Sequence, residues 1–310
     1  MIKGFKNYLQ YLEYLINSWK ELAQSKGLAE VGLPVPFVFV LTNDPDHGTT
    51  TNYRRVFSEL NRLGLKVTTA VFYTMENDGS RLAKHCFKGE THTLLDPEYR
   101  DLMLELREQG HEIAFHGYSQ VSNTREKFIE GLERFKEIFG EYPFTYIEHG
   151  GHPRKHPLDM CKRESLAMEG KKPGSPYYVW DIIKSKIKCV WAYHSLLNEH
   201  SFKKVTEILY EQEGVFFFRR WPLHYLEIIL KCHQMRSVES IANSFINVFI
   251  GYTHFGYTGY PKRPIYCLEN WNGPFLKNAI RRLEKILESH YVINLTIREL
   301  VCTQLKEDSE

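Results

Sequence analysis

The chain has 310 residues, 43% of them hydrophobic and 25% charged, and its 40 basic and 38 acidic residues leave a formal net charge of +2. This length suits one α/β barrel as well as two domains, and the composition excludes disordered, fibrous and collagen-like classes. So small a charge gives no electrostatic reason to expect nucleic acid as a partner. The longest apolar runs, such as Val35–Leu41, are too short to cross a membrane, so no transmembrane segment is predicted.

The six cysteines are scattered, and no two lie within three residues of each other. This spacing is not that of a zinc ribbon or a thioredoxin-type pair, and it favours reduced thiols. Residues 1–20 lack an uninterrupted apolar core and a small-residue cleavage site, so no signal peptide is predicted. We therefore expect a cytoplasmic protein. The oligomeric state stays open at this point, and a homo-oligomer is allowed.

The first 33 residues are predicted to form a unit of their own. Apolar residues recur at helical spacing from Phe5 to Ala23, and Gly27 ends the pattern. The pattern predicts an amphipathic helix that packs on the main domain, which we assign to residues 34–310. A contact of this helix with a membrane surface or with a second copy of the chain is the alternative.

After Gly32, apolar strands alternate with helices that mostly end at glycines. The predicted strands are Phe37–Leu41, Val67–Tyr73, Glu112–Phe115, Phe144–Ile147, Cys189–Tyr193, Val215–Phe218, Ile246–Tyr252 and Tyr291–Leu295. The predicted helices are Thr51–Leu63, 96–108, Arg125–Phe139, Ser201–Glu211, Val238–Asn243 and Gly273–Ser289. The alternation predicts parallel strands with crossover helices, in a (β/α) barrel or a doubly wound sheet. No glycine-rich phosphate-binding motif supports the nucleotide-binding versions of such a sheet.

Acidic, histidine and arginine side chains follow most of the predicted strands. In a barrel these positions converge on the mouth at the carboxyl ends of the strands, where active sites lie. Carboxylate and imidazole groups suit a divalent metal that activates water, while other carboxylates and histidines act as base and acid. The pattern predicts metal-assisted hydrolysis of an ester or amide. The residues are Asp44, Asp46, Glu76, Asn77, Asp78, His116, Glu148, His149, His152, His194, Arg219, Arg220, Trp221 and His254.

Several segments resemble the polysaccharide deacetylases of carbohydrate esterase family four. The most specific is Gly110–Tyr118, which reads G-H-E-I-A-F-H-G-Y and is similar to a family motif in order and spacing. The resemblance covers Pro34 to Leu300. It implies a distorted (β/α) barrel of seven or eight strands that removes an N-acyl group from an amino sugar. The other segments that carry it are Phe37–Asp46, Gly64–Tyr73, Ile250–His254 and Tyr291–Leu300.

The resemblance also implies catalytic roles. Asp44 matches the family's catalytic base, and His254 matches its catalytic acid. Independently of the family, arginine after a strand can bind a carboxylate or phosphate, and aromatic side chains at the barrel mouth can stack on a sugar. We therefore predict substrate-binding roles for Arg219, Trp221 and Tyr257, with Arg220 as a further candidate.

The implied cofactor is one divalent metal ion, with zinc expected. Asp46 and His116 match metal ligands of the family, but Gln120 stands where a second histidine is expected, and an amide oxygen is a poor zinc ligand. The expected arginine–proline motif corresponds to the stretch Tyr146–His156, which holds three histidines. We predict His149 as the third ligand, with Glu148 and His152 as alternatives.

Three functions remain open from the sequence. The first is metal-dependent hydrolysis of the C–N bond in an N-acylated carbohydrate or a related small molecule, with polysaccharide biosynthesis as one setting. The second is a relative that lost its metal through Gln120 and now binds a carbohydrate or serves as a scaffold. The third is a metal-independent amide hydrolase that uses Asp44, His116 and His254 alone.

Overall fold

The computed structural model describes residues 37–76, 90–120, 123–148, 169–191, 208–227, 229–230, 248–256, 268, 270–288 and 292–307. The N-terminal helix predicted within residues 1–33 and the predicted helix Val238–Asn243 lie outside these ranges. None of the helices in the described ranges has the length and hydropathy that a membrane-spanning helix needs.

One sheet of ten strands forms the centre of the molecule, in the order β6-β7-β5-β4-β3-β2-β1-β9-β8, with β10 beside the first half of β1. The strands pair in parallel, apart from the antiparallel pair β6 and β7. They are β1 (Phe37–Asn43), β2 (Val67–Phe72), β3 (Glu112–Gly117), β4 (Thr145–Ile147), β5 (Cys189–Trp191), β6 (Leu209–Gln212), β7 (Val215–Phe218), β8 (Trp221–Pro222), β9 (Val248–Thr253) and β10 (Val292–Leu295).

Two residues join opposite ends of this sheet and make it curl. β7 pairs with β5 near one end of the strand order, and β8 pairs with β9 at the other end. Only Arg219 and Arg220 separate the two strands along the chain. Two residues bridge at most about 11 Å between the flanking Cα atoms, so the two ends of the sheet must lie close together. The predicted fold class, an α/β distorted barrel, is confirmed.

In the part of the chain that the structure describes, six α-helices pack around the sheet, and α1 shows why they form. The side chain of Thr49 caps α1 by accepting a hydrogen bond from the backbone N–H of Asn52 at 3.3 Å. The helix then buries an apolar stripe of Tyr53, Val56, Phe57 and Leu60 against the sheet. The helices are α1 (Thr50–Arg62), α2 (Pro97–Glu108), α3 (Arg125–Phe139), α4 (Trp180–Lys186), α5 (Leu276–Glu288) and α6 (Ile297–Glu307).

One predicted helix is wrong where the structure describes it. The prediction Ser201–Glu211 overlaps β6, which pairs antiparallel with β7. Glu213 and Gly214 both have positive φ, at 53° and 80°, which is the backbone of a tight two-residue hairpin turn. This turn brings residues 209–212 back along the aromatic strand β7, and strand pairing overrides the helical spacing of the apolar residues.

A close backbone approach at Gly256 holds together the loops that follow β1 and β9. A Cβ at position 256 would overlap the backbone carbonyl of His47, next to Asp46. We expect Gly256→Ala to lower the free energy of unfolding by about 1–3 kcal/mol, measured by urea denaturation. Lys277→Ala on the exposed face of α5 serves as the control and should change it by less than about 0.5 kcal/mol. Equal stability of Gly256→Ala and wild type would contradict this contact.

Candidate active site

The ends of β1 and β9 place a carboxylate and an imidazole side by side. These strands are parallel neighbours, and the backbone N–H of Asp44 donates to the carbonyl of Thr253 at 3.0 Å. The buried Asn43 side chain accepts a hydrogen bond from the N–H of Phe255 at 2.8 Å. Together these bonds fix the segment that carries His254 against the loop that carries Asp44.

A buried ion pair holds Asp44 in place. Two nitrogens of the Arg220 guanidinium donate to the two oxygens of Asp44, at 2.5 and 2.7 Å, and the two side chains are only 1% and 8% exposed. The guanidinium lies 3.7 Å from the ring centre of Trp191 and 4.7 Å from that of Tyr252. Such bidentate pairing between aromatic faces uses the planar geometry of arginine, which lysine cannot reproduce.

The surroundings of Asp44 keep it ionised. Burial alone would raise the pKa of this carboxyl, but the Arg220 charge and hydrogen bond, with help from His116 and His254, hold the pKa below its ordinary value. His116 is 2% exposed, and its ring lies 4.8 Å from that of Phe72. Asp44 is therefore available as a carboxylate at neutral pH.

His254 faces both aspartates of the loop that follows β1. Its Nε2 lies 3.4 Å from Oδ2 of Asp46 and 3.8 Å from Oδ2 of Asp44. Burial alone would lower the pKa of His254, but the hydrogen bond to Asp46 and the charges of the two aspartates raise it above its ordinary value. The side chains of His254 and Asp46 are 19% and 17% exposed, so this side of the site is open to solvent.

Gln120 occupies the other side of Asp46. Its Nε2 donates a hydrogen bond to Oδ1 of Asp46, and the residue is 1% exposed. Its Oε1 is buried and has no hydrogen-bond partner among the described residues. Gln120 and His254 thus contact different oxygens of Asp46.

The donor set in the described ranges does not fit a zinc ion. Structural and catalytic zinc sites use three or four histidine, cysteine or carboxylate ligands from the protein. Among the described residues no group of three such side chains is close enough to hold a metal, although Asp46, His116 and Glu148 all lie there. Gln120 presents its nitrogen to Asp46, and an amide nitrogen is not a zinc ligand. The predicted third ligand, His149, lies outside the described residues, as does His152.

The predicted substrate-binding residues remain predictions. The guanidinium of Arg219 lies 5.8 Å from the ring centre of Trp221, and Arg219 is half-buried. Trp221 is 6% exposed, which leaves little of its ring available for stacking on a sugar. Tyr257 lies outside the described residues.

Arg220 is the main residue of the candidate site whose contacts the sequence did not indicate. It was a candidate for binding a substrate anion, whereas its guanidinium is engaged by Asp44 inside the protein. Trp191, whose ring lies 3.7 Å from the Arg220 guanidinium, was not predicted as part of the site either. The position of Arg220, two residues after the end of β7, was a usable signal, because the carboxyl ends of the parallel strands meet at the same mouth.

Comparisons with known proteins find similarity only to solved structures of low sequence identity. No protein-family model matches this sequence, and no curated protein matches it. Among solved structures, the chain is similar to Puue allantoinase at 10% identity and a TM-score of 0.49, over 84% of this chain and 87% of that one. It is similar to a probable polysaccharide deacetylase from Pseudomonas aeruginosa PAO1 at 11% identity and a TM-score of 0.44, over 84% and 87%. A peptidoglycan deacetylase, PdaC from Bacillus subtilis, is similar at 10% identity and a TM-score of 0.37, over 90% and 95%.

Proposed function

We propose that this protein is a hydrolase that cleaves the C–N bond of an N-acylated amino sugar or a related small amide. The proposal is carried by one arrangement: the imidazole of His254 lies between two aspartates, one of which is held by Arg220. The site therefore offers a proton acceptor in its ionised form next to a proton donor whose protonated form is stabilised. A pair of groups whose pKa values are pushed apart in this way suits general acid–base catalysis.

The two groups can divide the proton transfers of amide hydrolysis between them. Asp44 accepts a proton from water as the water oxygen forms a bond to the acyl carbon. Asp44 can do so because each of its carboxylate oxygens has a second lone pair in addition to the one that accepts a hydrogen bond from Arg220. His254 donates its proton to the amide nitrogen as the C–N bond breaks. The products are a carboxylic acid and a free amine, and proton exchange with solvent restores both groups.

This mechanism assigns no step to a metal ion. The zinc ion that the family resemblance implies would need a third ligand beside Asp46 and His116, and Gln120 faces Asp46 with a nitrogen. The assignment therefore uses the acid and base groups alone. The non-catalytic interpretation, in which the same cleft binds a carbohydrate without turnover, is the competing proposal.

The assay that separates these proposals measures both binding and turnover. Purified protein is incubated with N-acetylated mono- and oligosaccharides and with simple N-acyl amides, and released acid and free amine are quantified. Stoichiometric release of both products supports the hydrolase. Saturable binding of an acetylated sugar with no release would instead favour the binding protein.

The rate of hydrolysis should depend on pH in a direction set by the two pKa shifts. Since the pKa of Asp44 is lowered and that of His254 is raised, activity should stay high from about pH 4 to at least pH 6.5. It should fall as pH rises through the pKa of His254, where the donor loses its proton. His254→Asn should lower the rate and remove this alkaline decline, and His92→Asn, which removes a histidine that contacts Thr50 and Glu90, is the control. An alkaline limb that persists in His254→Asn would assign the acid role to another group.

A further inference from the structure

Gln120 and Asp46 form a contact that a metal site would not contain. The carboxylate of Asp46 only accepts hydrogen bonds, so the amide of Gln120 must present its NH₂ group to it. The oxygen of Gln120 then points away from Asp46. In this arrangement the two side chains cannot bind one cation together.

The second oxygen of Asp46 is engaged from the opposite side. His254 Nε2 lies 3.4 Å from Oδ2, while Gln120 donates to Oδ1. Both oxygens of the carboxylate therefore face N–H donors of this chain. Asp44, the neighbouring carboxylate, is likewise engaged on both oxygens by Arg220.

Gln120 is also buried, and the two residues before it have fixed backbone contacts. It is 1% exposed, and the loop that carries it follows β3, where the side chain of Asn123 accepts hydrogen bonds from the N–H groups of Tyr118 at 2.6 Å and Ser119 at 3.3 Å. Gln120 thus directly follows two residues whose backbone N–H groups are bonded to Asn123.

We infer that the Gln120 amide takes the place beside Asp46 that a divalent cation would occupy, so that this site works without a metal ion. The inference rests on the proposed function and deepens it, because it defines the chemistry of the same site. The metal-binding measurement described below does not depend on activity. It also identifies position 120 as the residue that decides whether the site binds a metal. A histidine side chain places its Nε2 at about the same reach as the Nε2 of glutamine, four residues from His116.

The test compares metal retention by wild type and by Gln120→His. Each full-length protein is incubated with Co²⁺, separated from free metal by gel filtration, and analysed for metal content and for the visible absorption of bound Co²⁺. Wild type should retain far less than one ion per chain, and Gln120→His should retain about one. His116→Ala in the Gln120→His background should lose it, since imidazole and carboxylate groups are the ligands that such ions prefer.

Gln120→Met is the matched control, because it keeps the size of the side chain but supplies neither an N–H donor nor an imidazole. It should retain no more Co²⁺ than wild type. Circular dichroism of each variant confirms that it is folded, and the wild-type measurement stands even if a variant fails to fold. Retention of about one ion by wild type would overturn the inference, and so would a folded Gln120→His that retains no more than wild type.

Activity before and after treatment with a chelator separates this inference from the proposed function. Amide hydrolysis that survives the chelator supports both. Hydrolysis that is lost with the chelator and restored by added metal would overturn the inference and leave the proposed function standing. Protein that retains no Co²⁺ and hydrolyses no amide, either without metal or after metal is added, would leave the inference about the metal standing and contradict the proposed function.

Discussion

Asp44→Asn is expected to reduce the rate of amide hydrolysis by about 10²–10⁴-fold, the range that a general base supplies. The carboxylate is the group that accepts the proton of water in the proposed reaction, and an amide cannot take that proton. Steady-state release of free amine from an N-acetylated substrate measures the effect. Activity within tenfold of wild type would show that another group removes the proton.

The same substitution should also lower stability, although asparagine and aspartate have nearly the same shape. The Arg220 side chain is 1% exposed and would lose its ionic partner, which costs about 3–5 kcal/mol for a buried pair. Activity must therefore be measured at a temperature where circular dichroism shows the variant folded. Asp101→Asn, on an exposed position of α2, is the control and should affect neither rate nor stability.

Arg220→Gln should also be strongly destabilising, and it leaves the carboxylate of Asp44 in place. It leaves a buried carboxylate without its cation, and we expect the free energy of unfolding to fall by about 3–5 kcal/mol in urea denaturation at pH 7. With Arg220 gone, burial is opposed only by the weaker effects of His116 and His254, so the pKa of Asp44 should rise. The acid limb of the rate profile should then move to higher pH.

The stability difference between wild type and Arg220→Gln should itself depend on pH. In wild type the folded-state pKa of Asp44 is lowered, so its contribution is fully present above the unfolded pKa of about 3.9 and is lost as pH falls through the folded value. In the variant the raised pKa reverses this dependence. The difference should be large at pH 7, begin to shrink as pH falls through the raised pKa of Asp44 in the variant, and go on shrinking until pH is below the lowered pKa of Asp44 in wild type. A difference that is constant with pH would mean that Arg220 stabilises through packing alone.

A double-mutant cycle of Asp44→Asn and Arg220→Gln isolates the pair. If the two side chains act on each other as the geometry indicates, the double variant should be more stable than the sum of the two single losses predicts, because neither charge is left unpaired. Strict additivity would contradict a direct interaction. The cycle also separates loss of the base from loss of the fold, since the double variant lacks Asp44 but no longer buries a lone guanidinium.

The sequence by itself was enough to predict the first strands and one of the main helices of the fold. Apolar stretches bounded by glycine and proline predicted β1, β2 and β3, and helix Arg125–Phe139 was predicted at the bounds that the structure has. These elements are long and strongly periodic, so local pattern and tertiary packing agree. The rule that strand ends converge predicted that Asp44 and His254 reach the same barrel mouth, and Nε2 of His254 lies 3.8 Å from Oδ2 of Asp44.

What the sequence could not provide are the partners of those residues. Arg220 lies 176 positions from Asp44, and Gln120 lies 74 positions from Asp46. Pairings at such separations depend on how the sheet curls, which no local pattern records. The short strand β6 was missed for the same reason, since its pairing with β7 decided its conformation.

The surroundings of Asp46 show this limit most clearly. From sequence, Asp46 and His116 looked like two ligands in need of a third, because residue type and spacing were the only information. Only the tertiary structure decides which atoms face each other, and it turns the NH₂ of Gln120 and the imidazole of His254 toward Asp46. The sequence determined which chemical groups reach the barrel mouth, and the tertiary structure determined which of them face each other, because Gln120 and Asp46, 74 positions apart, meet only when the sheet brings their strands together.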